Sequence, residues 1–314
     1  TMLVLSMGAL LLAGTLSAQT PVPEWQAGVD KVKTLIQSNP AQASEEAGEL
    51  LKGKNKKNVD LVTSVAHVYL DAGKITEAQE YLAMAKKANN KDPKVSVLEG
   101  DIALAQKNIG QACQLYEQAI YFDPNCKEAY LKYAQAYKSA SPTQAIEKLE
   151  QLKAVDPNCL EADRELAEVY YSGNRFGKAA EMYAKFIDTP LATEDDMLKY
   201  AFALFLNHDF EKSLQVAQKG LQKNARHAAF NRLVMYNNTD LKRYEDAEKA
   251  ADAFFNASDR ADYSYLDYRY YGALLSALKK YDKAIIEYGK ALDKDNTQVD
   301  LWLSLIHISE PTRH

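Results

Sequence analysis

The feature that most constrains the fold of this chain is a small residue that recurs at a nearly constant interval. The spacings between successive occurrences are 34, 33, 34, 34, 34 and 37 residues. Seven positions at so regular a period define an array of structural repeats rather than a single globular core. We call them the anchors, and they are Ala78, Ala112, Ala145, Ala179, Ser213, Ala247 and Ala284.

Other residue types recur at fixed sequence distances from the anchors. Large apolar residues lie three positions before most of them, for example Ile75, Phe176 and Tyr281, and small residues such as Ala66 and Ala201 lie twelve before. Offsets of 3, 4 and 7 place side chains on one stripe of a helix, so each repeat is predicted to be two amphipathic helices. The small residues would allow the two helices to approach closely.

This period, and the residue types that recur at fixed distances from the anchors, resemble the tetratricopeptide repeat family, most clearly over residues 264–296. The resemblance covers residues 59–301, with about seven units and the start of another. It implies an all-α fold, an α-α superhelix or solenoid of antiparallel helix pairs. The sixth unit departs from the pattern, because Met235 and Asn238 replace small and aromatic residues. We therefore expect its first helix to be irregular.

The two ends of the chain show different patterns. Residues 1–18 contain an uncharged apolar run followed by small residues, as in a secretory signal peptide. This run is shorter than the roughly 20 apolar residues of a spanning helix, so no membrane insertion is expected after cleavage. Residues 24–57 are predicted to form an atypical N-terminal helical hairpin, broken at Asn39 and Pro40. Residues 303–314 lack the recurring residue types of the repeat and resemble a translated sequencing adapter, which indicates a non-native tail.

Composition and motifs argue against several kinds of function. The net charge is −5, and no run of five basic residues points to nucleic acid. No phosphate-binding loop or hydrolase motif is present, so we predict neither a cofactor nor an enzyme. The histidines are scattered over different units, and the three cysteines, Cys113, Cys126 and Cys159, contain no CxxC pair. No metal site and no disulfide framework are expected.

A protein or peptide is the expected partner. In the family that the chain resembles, the first helix of each unit lines a concave groove, and positions fifteen, eleven and eight before each anchor face it. An apolar strip flanked by three arginines would suit a peptide carrying carboxylates, although some of these side chains could instead pack between helices. The candidate groove residues are Arg164, Glu168, Tyr171, Leu198, Phe202, Phe205, Arg232, Tyr236 and Arg269.

The sequence thus predicts an exported, non-catalytic scaffold of the periplasm or cell envelope, or a secreted one, that binds a protein or peptide in its groove. Two alternatives remain open at this point. The chain could be a structural subunit of an envelope assembly, or the repeat arm of a truncated multidomain enzyme or sensor. A cluster of tyrosines that includes Tyr263, Tyr265 and Tyr270 could either present a contact surface or close the packing between helices.

Overall fold

The computed structural model describes residues 22–257 and 263–309. Within those residues the chain forms seventeen α-helices, one 3₁₀ helix and one π-helical turn, and no strand. The predicted all-α fold of paired helices is confirmed. The chain divides into two compact units, Thr1–Gln106 and Lys107–His314.

The described part of the first unit contains five α-helices and the 3₁₀ helix Gly53–Lys57, which follows α2. Asn39 separates the first two helices, since its side chain accepts a hydrogen bond from the backbone of Gln42 (3.3 Å) and Pro40 occupies the first turn of α2. The core includes the fully buried Val32, Ala47 and Leu61. The helices are α1 (Gln26–Ser38), α2 (Pro40–Leu50), α3 (Val59–Asp71), α4 (Ile75–Asn89) and α5 (Pro93–Ala105).

The second unit continues the alternation of first and second helices. Its described part ends with a helix that has the position of a first helix, α17. The helices are α6 (Ile109–Phe122), α7 (Lys127–Tyr137), α8 (Pro142–Val155), α9 (Leu160–Ser172), α10 (Phe176–Phe186), α11 (Glu194–Leu206), α12 (Phe210–Lys223), α13 (Ala228–Asp240), α14 (Tyr244–Asp252), α15 (Tyr265–Ala277), α16 (Tyr281–Lys294) and α17 (Val299–Ser309).

Each anchor is the fourth residue of a second helix, and all seven are fully buried. A small side chain at this point lets the two helices of a pair approach closely. Ser213 is the one anchor with a polar side chain. Its hydroxyl donates to the carbonyl of Ala201 (2.8 Å) and accepts from the amide of Asn237 (2.8 Å), so its burial is compensated by hydrogen bonds.

The turn between the two helices of a repeat follows one pattern. The residue five positions before the anchor has a positive φ in six of the seven units, and it is a glycine only at Gly73. In five of these six units the next backbone N–H bonds back to a carbonyl five residues earlier, as from Arg175 to Tyr170 (2.8 Å), which closes the first helix. The non-glycine residues in this left-handed conformation are Lys107, Asn174, His208, Lys242 and Lys279.

The prediction of an irregular first helix in the sixth unit is wrong. Helix α13 is regular over its thirteen residues. Met235 is flexible enough to fill the buried position, and the amide of Asn238 bonds to the Val234 carbonyl of its own helix (2.9 Å). The irregularity lies in the second helix, where α14 ends at Asp252 and the π-helical turn Ala253–Ala257 follows.

No helix in the described part of the chain combines the length and apolar character needed to cross a bilayer. The predicted signal peptide at residues 1–18 lies outside the described residues and stays a prediction. Of the predicted non-native tail, residues 303–309 continue α17, and residues 310–314 are not described.

Candidate functional site

The nine candidate groove residues lie on four first helices, α9, α11, α13 and α15. We call the surface that these four helices form at those positions the first-helix face. All nine belong to the second unit. Their environments differ, because some carry exposed area, some pair with a neighbouring repeat, and one is buried.

Arg164 on α9 binds a carboxylate of the next repeat. Its Nε lies 3.1 Å from Oδ1 of Asp196, and its Nη2 lies 3.0 Å from Oδ2. Asp196 is 1% exposed and occupies the first turn of α11, where it forms a reciprocal capping box with Thr193. Burial favours the neutral acid, but the hydrogen bonds from Thr193 and Arg164 outweigh it and hold the pKa of Asp196 below its usual value.

The same arrangement joins α13 to α15. Arg232 pairs with Asp267, whose side chain is fully buried and forms a capping box with Ser264. The hydroxyl of Tyr236 donates to Oδ1 of the same carboxylate (2.7 Å). Burial, together with the adjacent Asp267 charge, raises the pKa of Tyr236 far above its usual value, so this hydroxyl remains a donor.

These pairs change the predicted chemistry of the site. Arg164 and Arg232 were expected to receive the carboxylates of a peptide, whereas each already holds a buried carboxylate of its own chain. Tyr236 is 3% exposed and belongs to the packing between repeats rather than to an accessible groove. Among the three predicted arginines, Arg269 alone is exposed, with its guanidinium 5.8 Å from the centre of the Tyr270 ring.

Glu168 is also bound within the protein. Lys199 on α11 lies 2.9 Å from Oε2 of Glu168 and 2.8 Å from Oδ2 of Asp195, and the hydroxyl of Tyr183 donates to Glu168 (2.8 Å). Partial burial opposes the charge on Lys199, but its two carboxylate partners outweigh that effect and raise its pKa. In this part of the first-helix face, the charged groups are therefore paired with one another within the protein.

Next to these paired groups lies a row of aromatic rings that spans three repeats. Phe205 on α11 contacts Tyr236 at 5.6 Å and Tyr270 at 6.1 Å between ring centres, and Tyr236 stacks on Tyr270 at 4.1 Å. The Tyr270 hydroxyl donates to Asp240 (2.9 Å), while Leu206 at the end of α11 is 44% exposed. We call the partly exposed rings of Phe202, Phe205 and Tyr270 the aromatic row.

The remaining candidates are partly buried. Tyr171 packs edge-on against Phe176 (5.7 Å) and Tyr183 (6.5 Å), and Leu198 and Phe202 pack on the hydrophobic core of α11 to α15. The tyrosines of the cluster mainly pack between helices. Tyr263 lies against Phe254 and Phe255, and Tyr270 stacks on Tyr236. The rings of Tyr263 and Tyr270 are partly exposed to solvent.

Sequence reasoning missed Asp196, Lys199 and Asp267. A local signal was present for the two aspartates, because Thr193-x-x-Asp196 and Ser264-x-x-Asp267 both match a helix-capping pattern. The partner of each aspartate lies more than thirty residues earlier, and nothing local in the sequence connects them.

The described residues contain no group of three or more His, Cys, Asp or Glu that could hold a metal ion. His67 pairs with Asp101 (2.9 Å), and His227 caps α13. The cysteines form no disulfide.

Comparison with known proteins supports the repeat assignment. The family model described as tetratricopeptide repeat matches residues 66–125 and 134–191. No curated protein sequence matches the chain. Among solved structures, pilF of Pseudomonas aeruginosa is 15% identical, with a TM-score of 0.51 over 66% of this chain and 96% of that one.

Two further solved structures are similar. PilW, a type IV pilus biogenesis factor, is 17% identical with a TM-score of 0.50, over 63% of this chain and 92% of that one. A tetratricopeptide repeat protein from Parabacteroides merdae is 15% identical with a TM-score of 0.48, over 80% and 99%. At these identities the likeness concerns the fold alone. Residues 66–125 and 134–191 thus match the tetratricopeptide repeat family, and the fold is similar to the solved structures of pilF and PilW.

Proposed function

We propose that this chain is a non-catalytic scaffold that binds a protein or peptide segment on its first-helix face. The observation that carries the proposal is the aromatic row, which stays partly exposed although its neighbours pack tightly. Aromatic side chains beside an apolar residue supply large contact area at low entropic cost, as binding hot spots do. Leu206, which follows Phe205 in the sequence, adds exposed apolar area, and Arg269 adds a cation beside the Tyr270 ring.

The paired charges define what kind of segment would fit. Arg164 and Arg232 each hold a carboxylate of the chain, and Glu168 holds Lys199, so a partner does not need to supply counter-charges for them. The exposed cation beside the row is Arg269. The face therefore favours a segment whose apolar or aromatic side chains contact the row and which carries one acidic group near Arg269.

Selection of binding peptides from a random library on the immobilised chain tests this proposal. Phe202→Ala/Leu206→Ala/Arg269→Ala removes the partly exposed Phe202 ring and the exposed Leu206 and Arg269 side chains, and it leaves the buried ion pairs intact. Because Phe202 also packs on the core, circular dichroism checks that the variant is folded. A matched control changes exposed residues of α16, as Tyr281→Ala/Lys283→Ala/Ile286→Ala. Selected peptides should lose binding to the first variant and keep it with the second. Equal binding to both variants would place the site elsewhere.

Export to the periplasm or cell envelope is part of the proposal, and it rests on residues 1–18. A fusion of residues 1–24 to alkaline phosphatase lacking its own signal tests it, because this enzyme matures only after export. Activity that disappears when the apolar run is interrupted by two arginines supports export. An inactive fusion that stays uncleaved in the cytosol, or activity that survives the two arginines, contradicts it.

A second candidate function is structural, as a subunit of a larger envelope assembly. Helix α16 favours it, since Tyr281 is 47% exposed and Ile286 is 57% exposed on a second helix. Light scattering distinguishes the two functions. Self-association that the α16 variant abolishes and the first-helix variant leaves unchanged would support the structural role.

A further inference from the structure

A second possible binding site lies in the first unit, between the 3₁₀ helix Gly53–Lys57 and α4. The two elements enclose a cleft with a volume of about 400 Å³. Its rim carries Lys56, Lys57 and Lys87, and Met84 contributes to its apolar floor together with two alanines. The cleft is therefore both basic and apolar.

The three lysines of this basic cleft are exposed, and their side chains form no ion pair or hydrogen bond with any other residue that the structure describes. Neighbouring lysines differ, because Lys52 pairs with Glu49 and Lys86 pairs with Glu99. Glu80 is the one acidic residue that lines the cleft. Three positive charges thus face a single negative one, in a chain whose net charge is −5.

The segment that carries two of these lysines is held at both ends. Asn55 donates to the carbonyl of Leu50 (2.9 Å), and Asn58 caps α3 by accepting from the backbone of Leu61 (3.2 Å). Gly53 has a φ of +60°, a conformation that side-chain-bearing residues rarely adopt. The lysines therefore start from a fixed backbone, which lowers the entropic cost of binding.

Helix stabilisation explains part of this charge but not all of it. Lys86 and Lys87 lie in the last turn of α4, where cations interact favourably with the helix dipole. Lys56 and Lys57 lie outside that helix, on the 3₁₀ segment, and point to a different role. Four lysines within residues 52–57 are the sequence signal for it.

We propose that the basic cleft binds a short acidic peptide segment that carries a large apolar side chain. The carboxylates would pair with Lys56, Lys57 and Lys87, and the apolar side chain would enter the cleft over Met84, whose flexible thioether adapts to different shapes. A concave site with an apolar floor suits an inserted side chain better than the flat surface of an anionic membrane. Glu80 adds a repulsive element that works against a dense anionic surface.

Fluorescence anisotropy with the full chain tests this proposal. The probe is a labelled peptide of Glu and Asp residues around a central Phe. Two control peptides replace Phe by Ser, or every acidic residue by Lys. Lys56→Gln/Lys57→Gln/Lys87→Gln is the test variant, and Lys33→Gln/Lys74→Gln/Lys138→Gln is a control with the same change in charge. Circular dichroism checks that both variants are folded.

The acidic Phe peptide should bind the wild-type chain and the control variant, and the test variant should bind at least about tenfold more weakly. The Ser and Lys peptides should both bind more weakly than the Phe peptide. Equal binding to the two variants, equal affinity for the Phe and Ser peptides, or no binding at all would overturn the proposal. Lysine-dependent flotation with phosphatidylserine vesicles, without peptide binding, would assign the basic cleft to membranes instead. The proposal does not depend on the first-helix face, so Phe202→Ala/Leu206→Ala/Arg269→Ala should leave this binding unchanged.

Discussion

The guanidinium of Arg232 contacts both oxygens of the Asp267 carboxylate, with Nε 2.7 Å from Oδ1 and Nη2 3.1 Å from Oδ2. The same carboxylate accepts from Tyr236 and from the backbone and hydroxyl of Ser264. One buried group therefore caps α15 and joins it to α13. Arg164 and Asp196 repeat this arrangement between α9 and α11, so the array is fastened by ion pairs as well as by apolar packing.

Arg232→Met should destabilise the second unit strongly, because it leaves the fully buried Asp267 carboxylate without its cation. Loss of one partner of a buried pair costs about 3–5 kcal/mol, and the Met side chain retains much of the aliphatic packing. Urea unfolding followed by circular dichroism measures the change.

Arg243→Met is the control for this substitution. Arg243 pairs with Glu211 on the surface, where both side chains are about half exposed, and such pairs contribute about 0–1 kcal/mol. If both variants lost the same stability, the buried pair would not have the fastening role assigned to it.

Two glycines should respond to alanine with opposite signs. At Gly272 an added Cβ would lie 2.7 Å from the Tyr288 ring, so Gly272→Ala should cost about 1–3 kcal/mol through overpacking. At Gly289 no atom lies within 4 Å of the added Cβ, so Gly289→Ala should stabilise α16 by about 0.5–1 kcal/mol. Thermal unfolding of the two variants in parallel measures both signs. A stabilising Gly272→Ala would show that the two helices are farther apart than described.

Ser213→Ala should destabilise the chain by about 1–3 kcal/mol, although alanine occupies the other anchors. The substitution removes the hydroxyl that accepts from Asn237, and it leaves that fully buried amide without this bond. Chemical denaturation compares Ser213→Ala with Ser213→Ala/Asn237→Leu, in which the Asn237 amide that lost its partner is also removed. The double variant should recover part of the loss; a further loss of stability would contradict the explanation.

The cysteines should differ in reactivity towards an aromatic disulfide reagent at pH 8. Burial, and after it the nearby Glu117 carboxylate, raises the pKa of Cys113 to about 11, and burial also raises the pKa of Cys159. Few thiolates form at either residue at pH 8, because a raised pKa keeps the thiol protonated. Half-buried Cys126 should react first, and the other two only in guanidinium. Rapid release of three equivalents from the folded chain would contradict this order.

The repeat frame could be predicted from sequence because its signals are local and periodic. The burial of Ala78, Ala179 and Ala284 follows directly from their spacing, and the helix pairs follow from the offsets around them. The regularity of α13 could not be predicted, since it depends on how Met235 fills a cavity that several helices build. Propensity and pattern carry no information on that fit.

The site was predictable in position but not in chemistry. Counting from the anchors placed Arg164 and Arg232 on the correct helices, but each meets an aspartate from the following repeat. Side chains that face a groove and side chains that bridge two repeats occupy the same helical stripe, so spacing alone does not distinguish them. The lysines of residues 52–57 were missed for another reason: Lys87 lies thirty residues farther along the chain, and the fold brings it to the same cleft.

Site-specific photocrosslinking tests the central claim, that a partner binds on the first-helix face. Benzoylphenylalanine is placed at Phe202 in one variant and at Ile286 on α16 in another, and the full chain is irradiated with envelope extract of its host. A discrete crosslinked partner is expected from position 202, absent from position 286 and competed away by a peptide selected on the wild-type chain. Crosslinks from position 286 alone, or equal crosslinks from both positions, would contradict it.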